Sequence, residues 1–130
     1  MSTLIVVKPD WVENDLFLVE LFGLICKHGL SVIFSKKALM DVAFWEKFYG
    51  SHVGTTYFDG LIQWMSSSAV LFLIIDGDSV VDVVRWRIIG RGQQGLRAKY
   101  QTSELKNVAH TSDSVISAMR EISLVRDRFS

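Results

Sequence analysis

Among the side chains of this sequence, His110 is the one whose type and setting could do covalent chemistry; it lies in the run Asn107-Val108-Ala109-His110-Thr111-Ser112-Asp113-Ser114. An imidazole is substantially neutral near pH 7, so one ring nitrogen can attack an electrophile such as phosphorus while an acceptor holds the other. The neighbouring hydroxyls and the Asp113 carboxylate are on hand to fix its tautomer. A lone histidine beside a helix cap is more often a loop residue, so the rest of the chain must supply the remainder of a site.

The elements that would position it follow from pattern. Val115, Ala118, Met119 and Ile122 share one helical face, with Ser112 or Asp113 as the cap. A helix is therefore predicted to begin just after His110, and its open N–H groups and positive dipole end would favour an anion there. Leu4 to Val7 reads as a buried strand stopped by Lys8-Pro9-Asp10, which holds the only proline and leaves Lys8 at a strand end. Leu16 to Cys26 is apolar nearly all round and stops at Gly29, a helix that needs cover on two sides. Leu30 to Lys37 reads as a second strand, Asp41 to Phe48 as an aromatic-rich short helix, and Phe58, Leu61, Ile62 and Met65 as another. Ala69 to Ile75 is a core strand closed by Asp76-Gly77-Asp78, and Ser79 caps a helix with Val80, Val83, Val84 and Ile88 on one side. Gly90 to Gly95 is the one glycine-rich loop, and Val108 or the loop before it would add a fourth strand to a single sheet.

Composition narrows the classes. A chain of 130 residues fits one domain, spanning 1–130, and buries about two-thirds of its unfolded surface. Lys plus Arg and Asp plus Glu balance at 14 each, so no global field draws nucleic acid or an anionic membrane, and any anion site is local. Cys26 is the only cysteine, which excludes an internal disulfide framework and a cysteine-rich zinc site and fits a reducing compartment. The amino-terminal residues do not read as a signal peptide, and the apolar runs fall short of the roughly 20 residues of a spanning helix. A soluble, cytoplasmic protein without a membrane partner is expected. His28 and His52 belong to no motif and read as structural.

Lys8-Pro9-Asp10, Tyr57-Phe58-Asp59-Gly60-Leu61, Val83-Val84-Arg85 and His110-Thr111-Ser112-Asp113-Ser114 with Glu121-Ile122-Ser123-Leu124 follow one another along the chain. In that order they resemble the nucleoside diphosphate kinase family, collinearly from Thr3 to about Leu124. The resemblance implies a ferredoxin-like α/β (α+β) sandwich with a four-stranded antiparallel sheet. It also implies ping-pong transfer of a terminal phosphoryl from a nucleoside triphosphate, carried with magnesium, to a nucleoside diphosphate through a phosphohistidine. On this resemblance His110 is the nucleophile, and Glu121 and Ser112 orient it. Lys8 and Tyr49 stand beside the transferred phosphoryl, Arg85 and Arg97 hold the phosphates, and Asn107 contacts the sugar and phosphate region. Tyr57 and Leu61 clamp the base where the family commonly has Phe and Leu. No residue is assigned as a metal ligand, because magnesium comes with the nucleotide phosphates. General chemistry agrees: phosphoryl transfer rests on positioned cations and donors, and arginine forks suit phosphate.

The chain departs from the pattern in places. Arg85 and Arg97 stand only 12 positions apart, and the usual phosphate-binding threonine has no counterpart between Gly90 and Gly95. Gly90, Gly92 and Gly95 could offer backbone N–H groups as a small anion nest instead. Glu104 stands where relatives place an apolar residue near the base, and Thr111 replaces a common glycine. The shortened loop, and a carboxyl terminus nine residues after Glu121, put the usual larger assemblies in question. At least a homodimer is expected, through the Leu16 to Cys26 helix and the Leu30 to Lys37 strand. The competing reading, motivated by the loop, is a kinase-like module that binds nucleotide or a partner without useful turnover. RNA binding is disfavoured, because the strands lack interleaved basic and aromatic residues.

Overall fold

Six consecutive residues of β1, Ser2–Val7, alternate between the two faces of a sheet that is buried on both sides. The computed structural model describes residues 1–91, 94–100 and 107–130. After β1 come a 3-10 turn at Pro9–Trp11, α1 (Asp15–Lys27), β2 (Ser31–Ala38), α2 (Val42–Phe48) and a second 3-10 turn at Gly50–His52. Then follow α3 (Phe58–Met65), β3 (Val70–Asp76), α4 (Val80–Asp82) running into a π-helical stretch at Val83–Ile88, α5 (Gly95–Tyr100), β4 (Ala109–Thr111) and α6 (Val115–Phe129). The strand order is β2-β3-β1-β4 and every pairing is antiparallel, which is the ferredoxin-like arrangement.

The period-2 geometry of β1 divides the core. Ile5 and Val7 join Leu73 and Ile75 beneath Phe17, Leu21 and Ile25 of α1 and Val84 and Ile88 of the π-helical stretch. Leu4 and Val6 join Phe72 and Ile74 beneath Trp45 and Phe48 of α2, Leu61, Ile62 and Met65 of α3, and Val125 of α6. The helices at Leu16 to Cys26, Asp41 to Phe48 and Phe58 to Met65, and the three longer strands, lie within a residue or two of where periodicity puts them.

Several local expectations need correction. Ser79 does not cap by its side chain: it adopts a left-handed φ of 54°, away from the extended backbone of an ordinary capping residue, and makes no capping bond. The helix that follows widens, with Ile89 N–H donating to the Val84 carbonyl at 2.9 Å, five residues back. The fourth strand is neither Val108 nor the loop before it but Ala109–Thr111, so His110 stands on a strand rather than at a helix start. The last helix begins only at Val115, capped by Ser114, whose hydroxyl accepts from Ser117 N–H. Its buried face is Ala118, Glu121 and Val125, whereas Met119 is 68% exposed and Val115 42%. The short helix α5 has no counterpart in the periodicity, since six residues offer less than two turns of pattern.

Gly90 and Gly95 adopt φ of 78° and 71° and close the glycine-rich loop tightly, so a Cβ on Gly90 would overlap the Gln94 carbonyl. Gly92, one of the three glycines of the supposed nest, and Glu104 lie outside the described residues.

Candidate active site

Strand pairing sets the direction of His110. It lies opposite Val6, and residues directly opposite in a ladder share a face. The imidazole therefore stands on the α2, α3 and α6 side, walled by Phe48 at 5.0 Å and by Tyr49 at 5.6 Å between ring centroids, both edge-on. Thr111, beside it, is part of the extended strand and keeps negative φ, so the position commonly held by glycine accepts a side chain here.

His110 Nε2 lies 2.8 Å from Glu121 Oε1, and Ser112 Oγ donates to the same oxygen at 2.8 Å. Ser112 also accepts weakly from Leu4 N–H at 3.4 Å. These contacts explain why Ser112 is not the helix cap: its hydroxyl is taken by the carboxylate. They also explain why a glutamate lies inside a helix face, since a buried carboxylate is tolerated when its oxygens are hydrogen-bonded. With Nε2–H donating to Glu121, the lone pair of the neutral ring lies on Nδ1.

The backbone before His110 is unusual. Val108 has φ of 65°, and Ala109 N–H donates to the Asn107 carbonyl at 2.8 Å, closing a γ-turn around a β-branched residue. The Val108 carbonyl accepts from Lys8 N–H at 2.9 Å, which ties the end of β1 to this turn. Lys8 is only 5% exposed; its ammonium donates to Asn107 Oδ1 at 2.6 Å and lies 5.6 Å from the Trp64 ring. Burial, reinforced by the charge of Arg97, brings its pKa down from 10.5 to about 7.

Arg97 enters from α5 and is buried. Its guanidinium donates to the Ala109 carbonyl at 2.6 Å and the Gly90 carbonyl at 3.4 Å, so it braces both the strand of His110 and the glycine loop. Burial first, then Arg91 and Arg85, lower its pKa to about 10. Arg85, projecting from the π-helical stretch, is likewise lowered by burial and by Arg91, with Asp113 and Asp82 acting in the opposite sense. Arg91 is thus a third arginine at this site, one that sequence reasoning did not single out, because an arginine in a glycine-rich loop carries no distinguishing pattern.

The Tyr49 hydroxyl is buried with no hydrogen-bond partner among the described residues. Burial and the charge of Glu121 raise its pKa, so it keeps its proton and remains an unused donor. Leu61 is buried in the α3 face, while Tyr57 is 46% exposed and shares a short hydrogen bond of 2.6 Å with His52 Nδ1. Among the described residues no three His, Cys, Asp or Glu side chains group as metal ligands, and no helix is long and apolar enough to cross a membrane.

A histidine on the strand next to β1, bound to a buried glutamate whose same oxygen accepts from a serine, and accompanied by a buried lysine and arginines, is one of two observations that bear on kinship. The other is that the sequence model of the nucleoside diphosphate kinase family matches residues 1–129. The chain belongs to the nucleoside diphosphate kinase family. A nucleoside diphosphate kinase of Saccharolobus islandicus is 35% identical over 132 residues, covering 97% of this chain and 94% of the relative. One of Listeria monocytogenes is 35% identical over 129 residues, covering 95% of this chain and 86% of the relative. The structure of the Aquifex aeolicus nucleoside diphosphate kinase superposes with a TM-score of 0.87 at 29% identity, covering 95% of this chain and 93% of that one. The chain is a phosphotransferase of this family rather than a kinase-like module without turnover, and its fold is the family's ferredoxin-like sandwich.

Proposed function

We propose that His110 carries the phosphoryl group in a two-step exchange between nucleoside triphosphates and diphosphates. The observation that carries this reading is the shared Glu121 oxygen, 2.8 Å from His110 Nε2 and 2.8 Å from Ser112 Oγ, which leaves Nδ1 as the nucleophile. The Nδ1 lone pair bonds to the terminal phosphorus as the bond to the bridging oxygen breaks, and that electron pair leaves with the nucleoside diphosphate. A second diphosphate then takes the phosphoryl on its terminal oxygen and returns the pair to Nδ1. Glu121 stabilises the positive charge that grows on the ring.

Lys8, Arg85 and Arg97 meet the phosphate oxygens, the Tyr49 hydroxyl donates to the transferring group, and Asn107 holds Lys8 in place and contacts the sugar and phosphate region. Tyr57 and Leu61 take the base, by stacking that any base accepts. The donor set is cationic and suits phosphate; magnesium, held by the nucleotide's own phosphates, adds further charge stabilisation when bound. Incubation with a γ-labelled triphosphate is expected to leave acid-labile phosphate on the wild-type protein and none on His110→Ala. A wild-type protein that takes up no label would overturn the reading.

The same proposal covers one domain over residues 1–130, a cytoplasmic location, no nucleic-acid partner, and assembly into at least a homodimer. Support for assembly lies in α1, where Leu16 and Val19 are 74% and 71% exposed, and in the edge strand β2, exposed along most of its length. Unpaired strand edges and contiguous apolar faces are ordinarily covered. A clean monomer by light scattering at micromolar concentration would contradict it.

A further inference from the structure

The 3-10 turn at Gly50–His52 and the start of α3 bring His52 and Tyr57 together in a contact that the established reaction does not require. Their polar atoms meet at 2.6 Å, with ring centroids 5.7 Å apart. Tyr57 occupies the cap position of α3 without making a side-chain capping bond, so nothing in its own helix fixes the ring. His52 is fixed. Its N–H donates to the Tyr49 carbonyl at 2.8 Å, and its carbonyl accepts from Thr55 N–H at 3.1 Å and from Thr55 Oγ1 at 2.7 Å. Its ring packs edge-on against Tyr49 at 5.9 Å, and Tyr49 in turn packs against His110 at 5.6 Å. A continuous row of rings therefore runs from the nucleophile to the half-exposed Tyr57.

We infer that His52 is a positioning residue for nucleotide binding, holding the Tyr57 ring as a preset platform for the base of nucleoside di- and triphosphates. The inference rests on the reading of Tyr57 as a base contact. An exposed aromatic with two free side-chain torsions must be ordered before it can stack, and ordering one such side chain on binding weakens affinity measurably. The hydroxyl-to-imidazole bond orders it beforehand. Phenylalanine at this position could not make this bond, so the contact ties His52 to a tyrosine in particular.

The test is a double-mutant cycle read by calorimetric dissociation constants for nucleoside diphosphates, which needs no phosphoryl transfer and so separates this inference from the role of His110. His52→Ala and Tyr57→Phe are each expected to weaken binding three- to tenfold, and the double variant no more than either single one. His52→Asn, whose amide places a polar atom where Nδ1 stands, is expected to recover most of the loss. Exchange assays should show the change in KM with kcat within twofold. Additive losses, unchanged binding in both single variants, or a fall in kcat at constant KM would each overturn the inference.

Discussion

Replacing Glu121 by glutamine tests the central geometry with the least disturbance of shape. Oε1 accepts from both His110 and Ser112 at 2.8 Å, and its residue is almost wholly buried. A hydrogen bond to a charged group contributes about 1.5–3 kcal/mol and a neutral one about 0.5–1.5. The amide of Glu121→Gln keeps an acceptor for the ring and loses the charge, so the developing imidazolium loses about 1–1.5 kcal/mol of stabilisation. At 1.36 kcal/mol per factor of ten, phosphoenzyme formation should slow by about tenfold. Glu121→Ala removes the acceptor as well and should slow it by about a hundredfold. Rapid-quench measurement of label transfer, with enzyme in excess over γ-labelled triphosphate, reads the step directly. Nucleotide affinity should stay within twofold, because Glu121 faces the ring and not the phosphates. A Glu121→Gln protein as fast as wild type, or one slowed only through affinity, would refute the argument that this carboxylate sets the nucleophile.

Lys8 makes stability depend on pH. Its pKa is about 7 in the folded chain against 10.5 ordinarily, so between these values the unfolded chain holds a proton that the folded chain does not, and stability rises with pH across that window. Urea midpoints of the nucleotide-free protein should show this rise, and Lys8→Met should reduce it while impairing exchange. Nucleotide binding at pH 8 should draw a proton onto Lys8, seen as a binding enthalpy that varies with the ionisation enthalpy of the buffer. Arg97→Ala strips partners from the Ala109 and Gly90 carbonyls and should lower the unfolding free energy by about 2–4 kcal/mol, whereas Arg85→Ala should cost under about 1 while still weakening nucleotide binding. Arg91 adds to the crowding of cations around Arg85 and Arg97, so inorganic phosphate should raise the thermal midpoint of the wild type more than that of Arg91→Ala.

Long apolar runs were legible because burial leaves a period in the sequence: β1, β3 and the buried stripes of α1 and α3 could be read directly. The immediate setting of His110 was not, for two reasons. A three-residue strand is shorter than any pattern, and its place is decided by Ile5, Val6 and Val7, more than a hundred positions away. In α6, apolarity pointed inward at Val115 and Met119, yet the interior took Glu121, because the histidine and the serine satisfy its carboxylate. The family resemblance supplied candidate site residues where periodicity could not. It named Lys8, Arg97 and Glu121, whose contacts depend on chain crossings that no local window contains. It was silent on His52 and Arg91, which acquire partners only through the turns that hold them.

The left-handed turn at Val108 bears on how the chain acquires its activity. A β-branched residue at φ of 65° stays there only while its surroundings hold it, at a cost of about 1–3 kcal/mol. What holds it is the end of β1, through Lys8 N–H, and the ladder from Ile5 to Val7 that fixes Ala109 to Thr111. A partly folded chain, with helices formed but β1 not yet inserted between β3 and β4, would let Val108 relax and swing His110 out of register with Glu121. Competence should therefore require β1 in place between β3 and β4, and denaturant that loosens this ladder should extinguish exchange before it erases the helical signal.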